Sequence, residues 1–449
     1  MKDGRTAGMP LKEKLAFGAG AFGKDFVYLF ITLYILYFFT DVLQISAVTA
    51  GTILLVVRLI DAGFDLPFGF AVDKTRSRWG KLRPYLLFGA IPYGIVTALL
   101  FYTPDLSGSG KIYYAFSFYL LISILYSVIS IPHAALNTVM TDSMKERAQL
   151  STILLIFSGM AITLVSSVTL PIVALFPNEQ AGYLFMGATV GLVAIVLILV
   201  CFKGTSEQIA DSERQAAIPF KVAIRTIFTN KPYLALSVSF FMLQVCFGVR
   251  GAASIYYFIY NVGNVNLFSM VSLVGGLAGL GLQFFAPAFI MKFGKRSLYI
   301  WTGVLLIADL AAIYMAPTGS VPLVFILNTL ASILAGLSML AAWASLPDAI
   351  DYSVRRNGLH IEGMYYSLYN FLQKLGSSVA GGLSGVVLAA YGYQTGGAPT
   401  ADSLEGIRVT STLIPAACAV VFTIAMLFYR THRTEPANAG TEGSVIHGQ

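Results

Sequence analysis

Charge is what this sequence has least of. Of its 449 residues 11% are charged, against about 25% in soluble domains, and that scarcity excludes a soluble globular protein. The formal net charge of +7 does not point to nucleic acid, because the basic residues sit in short stretches between apolar runs. Cysteine is sparse: Cys201, Cys246 and Cys418 all lie in or beside apolar runs, so no disulfide framework is implied. Of the four histidines, His133, His360, His432 and His447, no two form a metal-ligand pair on a shared face. With no nucleophile–base motif either, the residues argue against a membrane enzyme, and no repeated filter segment supports a channel. No cleavable signal stands out, since Met1–Lys14 is polar and the first apolar run is long and aromatic.

What is present is apolar surface: 57% of residues are hydrophobic and mean hydropathy is +0.75. The chain reads as an all-α, multi-pass membrane protein of twelve spans, near 22–43, 49–72, 84–103, 112–135, 151–176, 182–202, 233–260, 267–291, 297–316, 321–345, 363–390 and 409–430. The longest polar stretch, 203–231, splits it six plus six. The expected units are an N-terminal bundle over 1–202, a loop over 203–231, a C-terminal bundle over 232–430 and a tail over 431–449. Of the 29 Lys and Arg, 23 fall in the even-numbered joints and the termini, against Lys111 and Arg408 in the odd-numbered joints. The bias predicts that both termini are cytoplasmic, in a plasma (bacterial inner) membrane. Span two leads to Arg78-Trp79-Gly80-Lys81 and span eight to Lys292-Phe293-Gly294-Lys295-Arg296. A basic, glycine-containing turn at the same place in each half fits two parallel six-helix repeats, the build of major facilitator transporters.

The most informative stretch is Arg58-Leu59-Ile60-Asp61-Ala62-Gly63-Phe64-Asp65, inside span two. On a helix Arg58, Asp61 and Asp65 share one stripe. A charge at mid-membrane costs on the order of 2.5–3.5 kcal/mol, so the stripe faces protein or a wet cavity. Two carboxylates one turn apart suit a small monovalent cation or a shared proton. Span four adds Ser123, Ser127 and Ser130 on one face, with Tyr126 and His133 beside it. Packing is the default for such small residues. Ser127 is nevertheless a candidate neutral ligand to a cation held by Asp61 and Asp65, and His133 a candidate donor to substrate.

In span one Lys24 and Asp25 precede Tyr28 and Thr32 on a shared face. Asp25 can accept from sugar hydroxyls while Tyr28 packs on the ring, or Lys24 and Asp25 simply pair with each other. Span seven carries Arg250 and Tyr256; the arginine's fork matches a carboxylate, of substrate or of an aspartate across the bundle. Asp309 in span nine has no evident partner. In span eleven Asn370, Gln373 and Lys374 are polar, and Lys374 needs an anionic partner such as Asp61 or Asp65. Asp348, Asp351, Arg355 and Arg356 crowd one turn after span ten, as candidate gate-closing salt bridges.

Taken in order, Gly20-Ala-Phe-Gly-Lys24-Asp25, Arg58-Leu-Ile-Asp61-Ala-Gly-Phe-Asp65, Thr75-Arg-Ser-Arg78-Trp-Gly-Lys81, Tyr256-Tyr-Phe-Ile-Tyr260-Asn-Val-Gly263 and Asp348-Ala-Ile-Asp351-Tyr352 resemble the glycoside–pentoside–hexuronide:cation symporters. The resemblance covers both halves. It implies the major facilitator fold and uptake of a sugar or glycoside driven by Na⁺ or H⁺, with no other cofactor. It assigns Asp61 and Asp65 to the cation, Asp25 to the sugar and Lys374 to coupling, with Lys24 and Arg58 beside them. The family's best-known galactoside carrier has an aspartate where Ser130 stands, a tryptophan where Ala134 stands and an arginine near Leu155. A cation-site asparagine is Phe64 here, which leaves H⁺ open beside Na⁺. A less negative cavity with Arg250 would favour a uronic acid or uronide. The expected partners are a small sugar or glycoside and membrane lipid, no nucleic acid, with the protein a monomer. A lipid or lysolipid transporter on the same fold is the alternative.

Overall fold

The computed structural model describes residues 9–141, 143–207, 220–359, 361–394 and 399–430. The tail over 431–449, His360 and the middle of the 203–231 loop lie outside the described residues. The described residues are mostly helical. In order the helices are α1 (Leu11–Tyr37), α2 (Ala47–Lys74), α3 (Arg83–Leu100), α4 (Gly108–Val139), α5 (Met144–Val173), α6 (Glu179–Gly204), α7 (Phe220–Thr229) and α8 (Lys231–Tyr256). There follow α9 (Val265–Phe293), α10 (Lys295–Met315), α11 (Val321–Asn357), α12 (Glu362–Ala390), α13 (Ala401–Ser411) and α14 (Leu413–Leu427). Ser46, Asn178, Asn230 and Asn264 start α2, α6, α8 and α9, each accepting the backbone N–H three residues on. Those caps satisfy donors that lipid cannot.

Eleven spans are long and apolar enough to cross a bilayer. The helix α12 is not among them, because Asn370, Gln373, Lys374 and its many Gly and Ser residues lower its hydropathy. Together they make twelve, with α13 and α14 forming the last. That span begins at Ala401, earlier than the hydropathy suggested, because its first turns carry Asp402, Glu405 and Arg408. Glu405 accepts from Tyr314 at 2.7 Å and Arg408 donates to the Ala316 carbonyl at 3.0 Å, so both are held at the end of α10. The loop between the halves also holds a short helix, α7, which hydropathy does not reveal.

The first six helices form one bundle: α1 packs on α5 and α6, α3 on α4 and α6, and α2 on α4. The second has α8 on α12 and α14, and α10 on α11 and α14. The halves echo each other in backbone detail. The first helix of each ends in a π-helical turn, Phe38–Val42 after α1 and Tyr257–Asn261 after α8.

Between the bundles α2 packs on α12, α5 on α9 and α1 on α8. Glycine sets how closely α2 and α12 approach: a Cβ on Gly51 would stand 3.2 Å from the Gly382 carbonyl oxygen and 3.2 Å from Gly385 Cα. At this end the halves are also bonded. Thr40 and Tyr256 share a hydrogen bond of 2.7 Å, and Asp41 accepts from Tyr260 and Tyr393. Beside them Tyr37 donates to Glu179 at 3.2 Å. Among the described residues, the only other hydrogen bonds and ion pairs between the bundles are those of Lys374, deeper in the molecule. Among the described residues the polar closure is therefore at this end. On the opposite side, the start of α1 is tied within its own bundle, where Glu146 accepts from the backbone N–H of Met9 and from Thr141 at 2.6 Å. These bonds, the Thr141 hydroxyl's first, hold the Glu146 carboxyl below its ordinary value. The tie is thus complete at neutral pH and is lost as pH falls through that lowered value.

A side chain at the glycine contact should wedge the closed end apart, at about 1–3 kcal/mol. In a background without the three native cysteines, Gly385→Val is expected to increase maleimide labelling of Tyr256→Cys. Equal labelling with and without the Gly385→Val substitution would show that the glycine contact does not hold that end shut.

Candidate functional site

The centre of the molecule is a charge cluster shared by the two bundles. The helix α2 carries Asp61 and Asp65 one turn apart, and α12 sends Lys374 between them. The Lys374 ammonium bonds Asp65, lies 3.4 Å from Asp61 Oδ2 and donates to Ser127 Oγ at 3.1 Å. Ser127, from α4, donates to Asp61 Oδ1 at 2.9 Å. Asp61 is fully buried. Asp61 Oδ2 and Asp65 Oδ1 remain without a hydrogen-bond partner. One ammonium thus faces two carboxylates and leaves acceptor capacity unused, which suits a second positive charge.

Arg58 does not fill that role. It is buried, donates from Nε to Tyr119 at 3.0 Å, and its guanidinium lies 4.9 Å from the Tyr28 ring centre and 5.8 Å from that of Tyr119. Among the described residues it forms no ion pair. Its charge is held by the faces of aromatic rings and a phenol.

A second cluster adjoins this one inside the N-terminal bundle. Asp25 pairs with Lys24 at 2.6 Å and accepts from Tyr126 at 3.3 Å and from Ser158. Tyr126 stacks on Tyr28 with ring centres 4.5 Å apart. Tyr28 in turn carries Arg58, so an unbroken line of contacts runs from Asp25 to the helix that bears Asp61. A small void beside it is bounded by Tyr28, Arg58, Tyr93, Tyr119 and Tyr126. The rings and the carboxylate expected at a sugar site thus lie together here, engaged with one another. Ser130 is half-buried one turn beyond Tyr126. On α12, Asn370 is exposed and Gln373 half-buried, on the approach to Lys374.

Three expected substrate contacts lie elsewhere. His133 is completely buried, stacked on Phe17 at 4.5 Å, with its Nε2 3.0 Å from the Phe17 carbonyl oxygen. It joins α4 to α1 rather than facing a cavity. Arg250 points into its own bundle, donating to Asn328 at 3.1 Å and the Ser411 carbonyl at 3.5 Å. Buried Asp309 lies in the same bundle and interacts with it electrostatically, but both Asp309 oxygens lack a hydrogen-bond partner and the two form no ion pair among the described residues. Tyr256 is buried in the closed end on Thr40. In each case helical spacing gave the face but not the neighbour. Among the described residues the candidate gate is not joined across the halves: Asp348 pairs with Lys295 of its own bundle at 2.7 Å, and Asp351, Arg355 and Arg356 are exposed.

Sequence reasoning misses Ser158, Tyr119 and Asp41. Tyr119 extends the Ser123–Ser127–Ser130 stripe by one more turn, a spacing that is readable. Ser158 shows no such pattern, and Asp41 looks like an ordinary polar helix end.

The family model of MFS/sugar transport proteins matches residues 16–433. The chain belongs to this family, in its branch of glycoside–pentoside–hexuronide symporters. The protein is a membrane transporter and not an enzyme. It is 31% identical to a putative glycoside/cation symporter, YagG, of Escherichia coli (strain K12), covering 92% of this chain and 89% of that one. It is 28% identical to the isoprimeverose transporter of Lactiplantibacillus pentosus, covering 95% and 90%. The fold matches the crystal structure of a D-xylose–proton symporter with a TM-score of 0.70 at 13% identity, covering 94% of this chain and 97% of that one.

Because breaking a buried ion pair strands its partner, Lys374→Ala should destabilise the transporter by about 3–5 kcal/mol. Adding Asp65→Asn removes part of the stranded charge and should restore much of the loss. Thermal unfolding of the two variants in detergent reads this directly; an unaltered single variant would refute the central pair.

Proposed function

We propose that this transporter carries out cation-coupled symport of a neutral sugar or glycoside by alternating access. The observation that carries this reading is Lys374 of one bundle inserted between Asp61 and Asp65 of the other. A Na⁺ or H⁺ arriving at Asp61 and Asp65, with Ser127 as a neutral ligand, competes with Lys374 for the carboxylates. Neutralising them frees the lysine and weakens the tie between the bundles. Sugar bound at Asp25, Tyr28 and Tyr126 acts on the same element through the contacts with Arg58, so each ligand alters the affinity for the other. The coarser part of the reading, a sugar or glycoside substrate, is what the relatives' names describe for them.

For the ion, Phe64 offers no amide oxygen, and the oxygens present are two carboxylates and one hydroxyl; we favour H⁺ on this ground. For the substrate, Arg250 is turned into its own bundle and Lys24 is already paired with Asp25, so neither is free to receive a carboxylate. Both observations favour a neutral glycoside over a uronide. With the termini cytoplasmic, as the Lys and Arg bias supports, the bonded end is extracellular and the conformation is inward-facing. A lipid transporter is not favoured, because the site's neighbours are charged, hydroxylated and aromatic rather than an apolar slot.

In proteoliposomes Asp61→Asn and Asp65→Asn are expected to abolish gradient-driven accumulation while sparing exchange of sugar for sugar. Full accumulation by both variants sinks the cation assignment. In the same vesicles a panel of labelled glycosides and uronides should show neutral substrates taken up, with a pH gradient sufficing and Na⁺ dispensable. Preferential uronide uptake, abolished by Arg250→Ala, would reverse the substrate reading.

A further inference from the structure

A large cavity lies away from the transport site. It has a volume of about 1210 Å³ and opens where α9 ends, α10 begins, α11 ends and the chain leaves α14. Six basic residues line it, Lys292, Lys295, Arg296, Arg355, Arg356 and Arg430, against two acidic ones, Asp348 and Asp351. Two of the six are engaged: Lys295 on Asp348 at 2.7 Å, and Arg296 on the Met426 and Leu427 carbonyls at 3.4 and 2.6 Å. Among the described residues Lys292, Arg355, Arg356 and Arg430 form no ion pair. Like charges brought together around a concave surface repel one another unless an anion joins them. Lys292, Arg355 and Arg356 stand in the last turns of α9 and α11, where the helix dipole stabilises each of them singly. That effect does not explain why they share a cavity with Lys295, Arg296 and Arg430.

We propose that this cavity binds the phosphate headgroup of an anionic phospholipid. Two observations favour a lipid over a free phosphate. The cavity sits at the ends of membrane-spanning helices, at headgroup depth, where basic pockets between helices meet anionic lipid. Its wall also includes Ile290, Met291 and Phe293, and Met291 is 81% exposed. A soluble phosphate has no use for that apolar border, whereas an acyl chain covers it. Bound there, the headgroup would hold Arg355 and Arg356 within the C-terminal bundle, away from any partner in the other half. The proposal does not rest on which sugar or ion is carried.

The test is native mass spectrometry of the full-length protein with equal amounts of phosphatidylglycerol and phosphatidylethanolamine of matched chains. The expected result is retention of phosphatidylglycerol about fivefold or more over phosphatidylethanolamine. Lys292→Glu with Arg430→Glu, and separately Arg355→Glu with Arg356→Glu, should bring the ratio near one. The milder Lys292→Gln with Arg430→Gln, judged monodisperse by gel filtration, gives the same reading if charge reversal unfolds the protein. Parity for the unmodified protein, or a preference unchanged in every variant, overturns the proposal. So does displacement of the lipid by millimolar glycerol 3-phosphate, which would assign the cavity to a soluble phosphate.

Discussion

Two carboxylates and one ammonium in a medium that solvates neither set the terms for the rest of this molecule. Asp61 and Asp65 cannot both stay ionised inside a bilayer without a cation nearby, and the cation present is Lys374, from the other half of the chain. Much else follows from bringing Lys374 there. The helix α12 must carry polar residues across the membrane, and so has the least membrane-like composition of the twelve spans. It must also lie close to α2, which Gly51, Gly382 and Gly385 permit. The bond is a connection between bundles that charge alone can make or release.

The N-terminal bundle shows how such a connection can sense a sugar. Asp25 is saturated by Lys24, Tyr126 and Ser158, and its neighbours are rings in contact, Tyr126 on Tyr28 and Tyr28 under Arg58. On the proposed reading, a hydroxyl that replaces one of the partners of Asp25 disturbs the helix that carries Asp61. Apart from Lys374, the polar bonds between the halves among the described residues lie at the end built around Asp41, Thr40 and Tyr256. The molecule has one bonded end, one charged centre and an opposite end without polar ties among the described residues, which is the geometry of a rocker stopped on one side.

How much of this is legible in sequence depends on the range of the interaction. The stripe Arg58–Asp61–Asp65 and the partnership of Lys374 with those carboxylates are readable, because mid-membrane charges must find opposite charges and few are available. Arg250 and Asp309 are each visible as charges inside apolar runs, yet spacing does not show that they share one bundle or that Arg250 bonds Asn328, since two helices of one bundle carry no sequence mark of facing each other. His133 follows a proline beside a polar stripe and looks accessible; packing against Phe17 buries it. Spacing groups Arg58 with the aspartates on its own stripe, but long side chains bend, and the faces of Tyr28 and Tyr119 capture it.

By itself the sequence determined the membrane class, the number of spans, the twofold repeat and the charges that had to meet, because hydropathy and the cost of isolated charge act on composition and spacing alone. Only the tertiary structure decided which tyrosine holds Arg58, that Arg250 faces inward, that Asp41 fastens one end and that six basic residues surround one cavity. Those outcomes depend on how helices are rotated and tilted against one another, and helical periodicity specifies a face without specifying what lies opposite it.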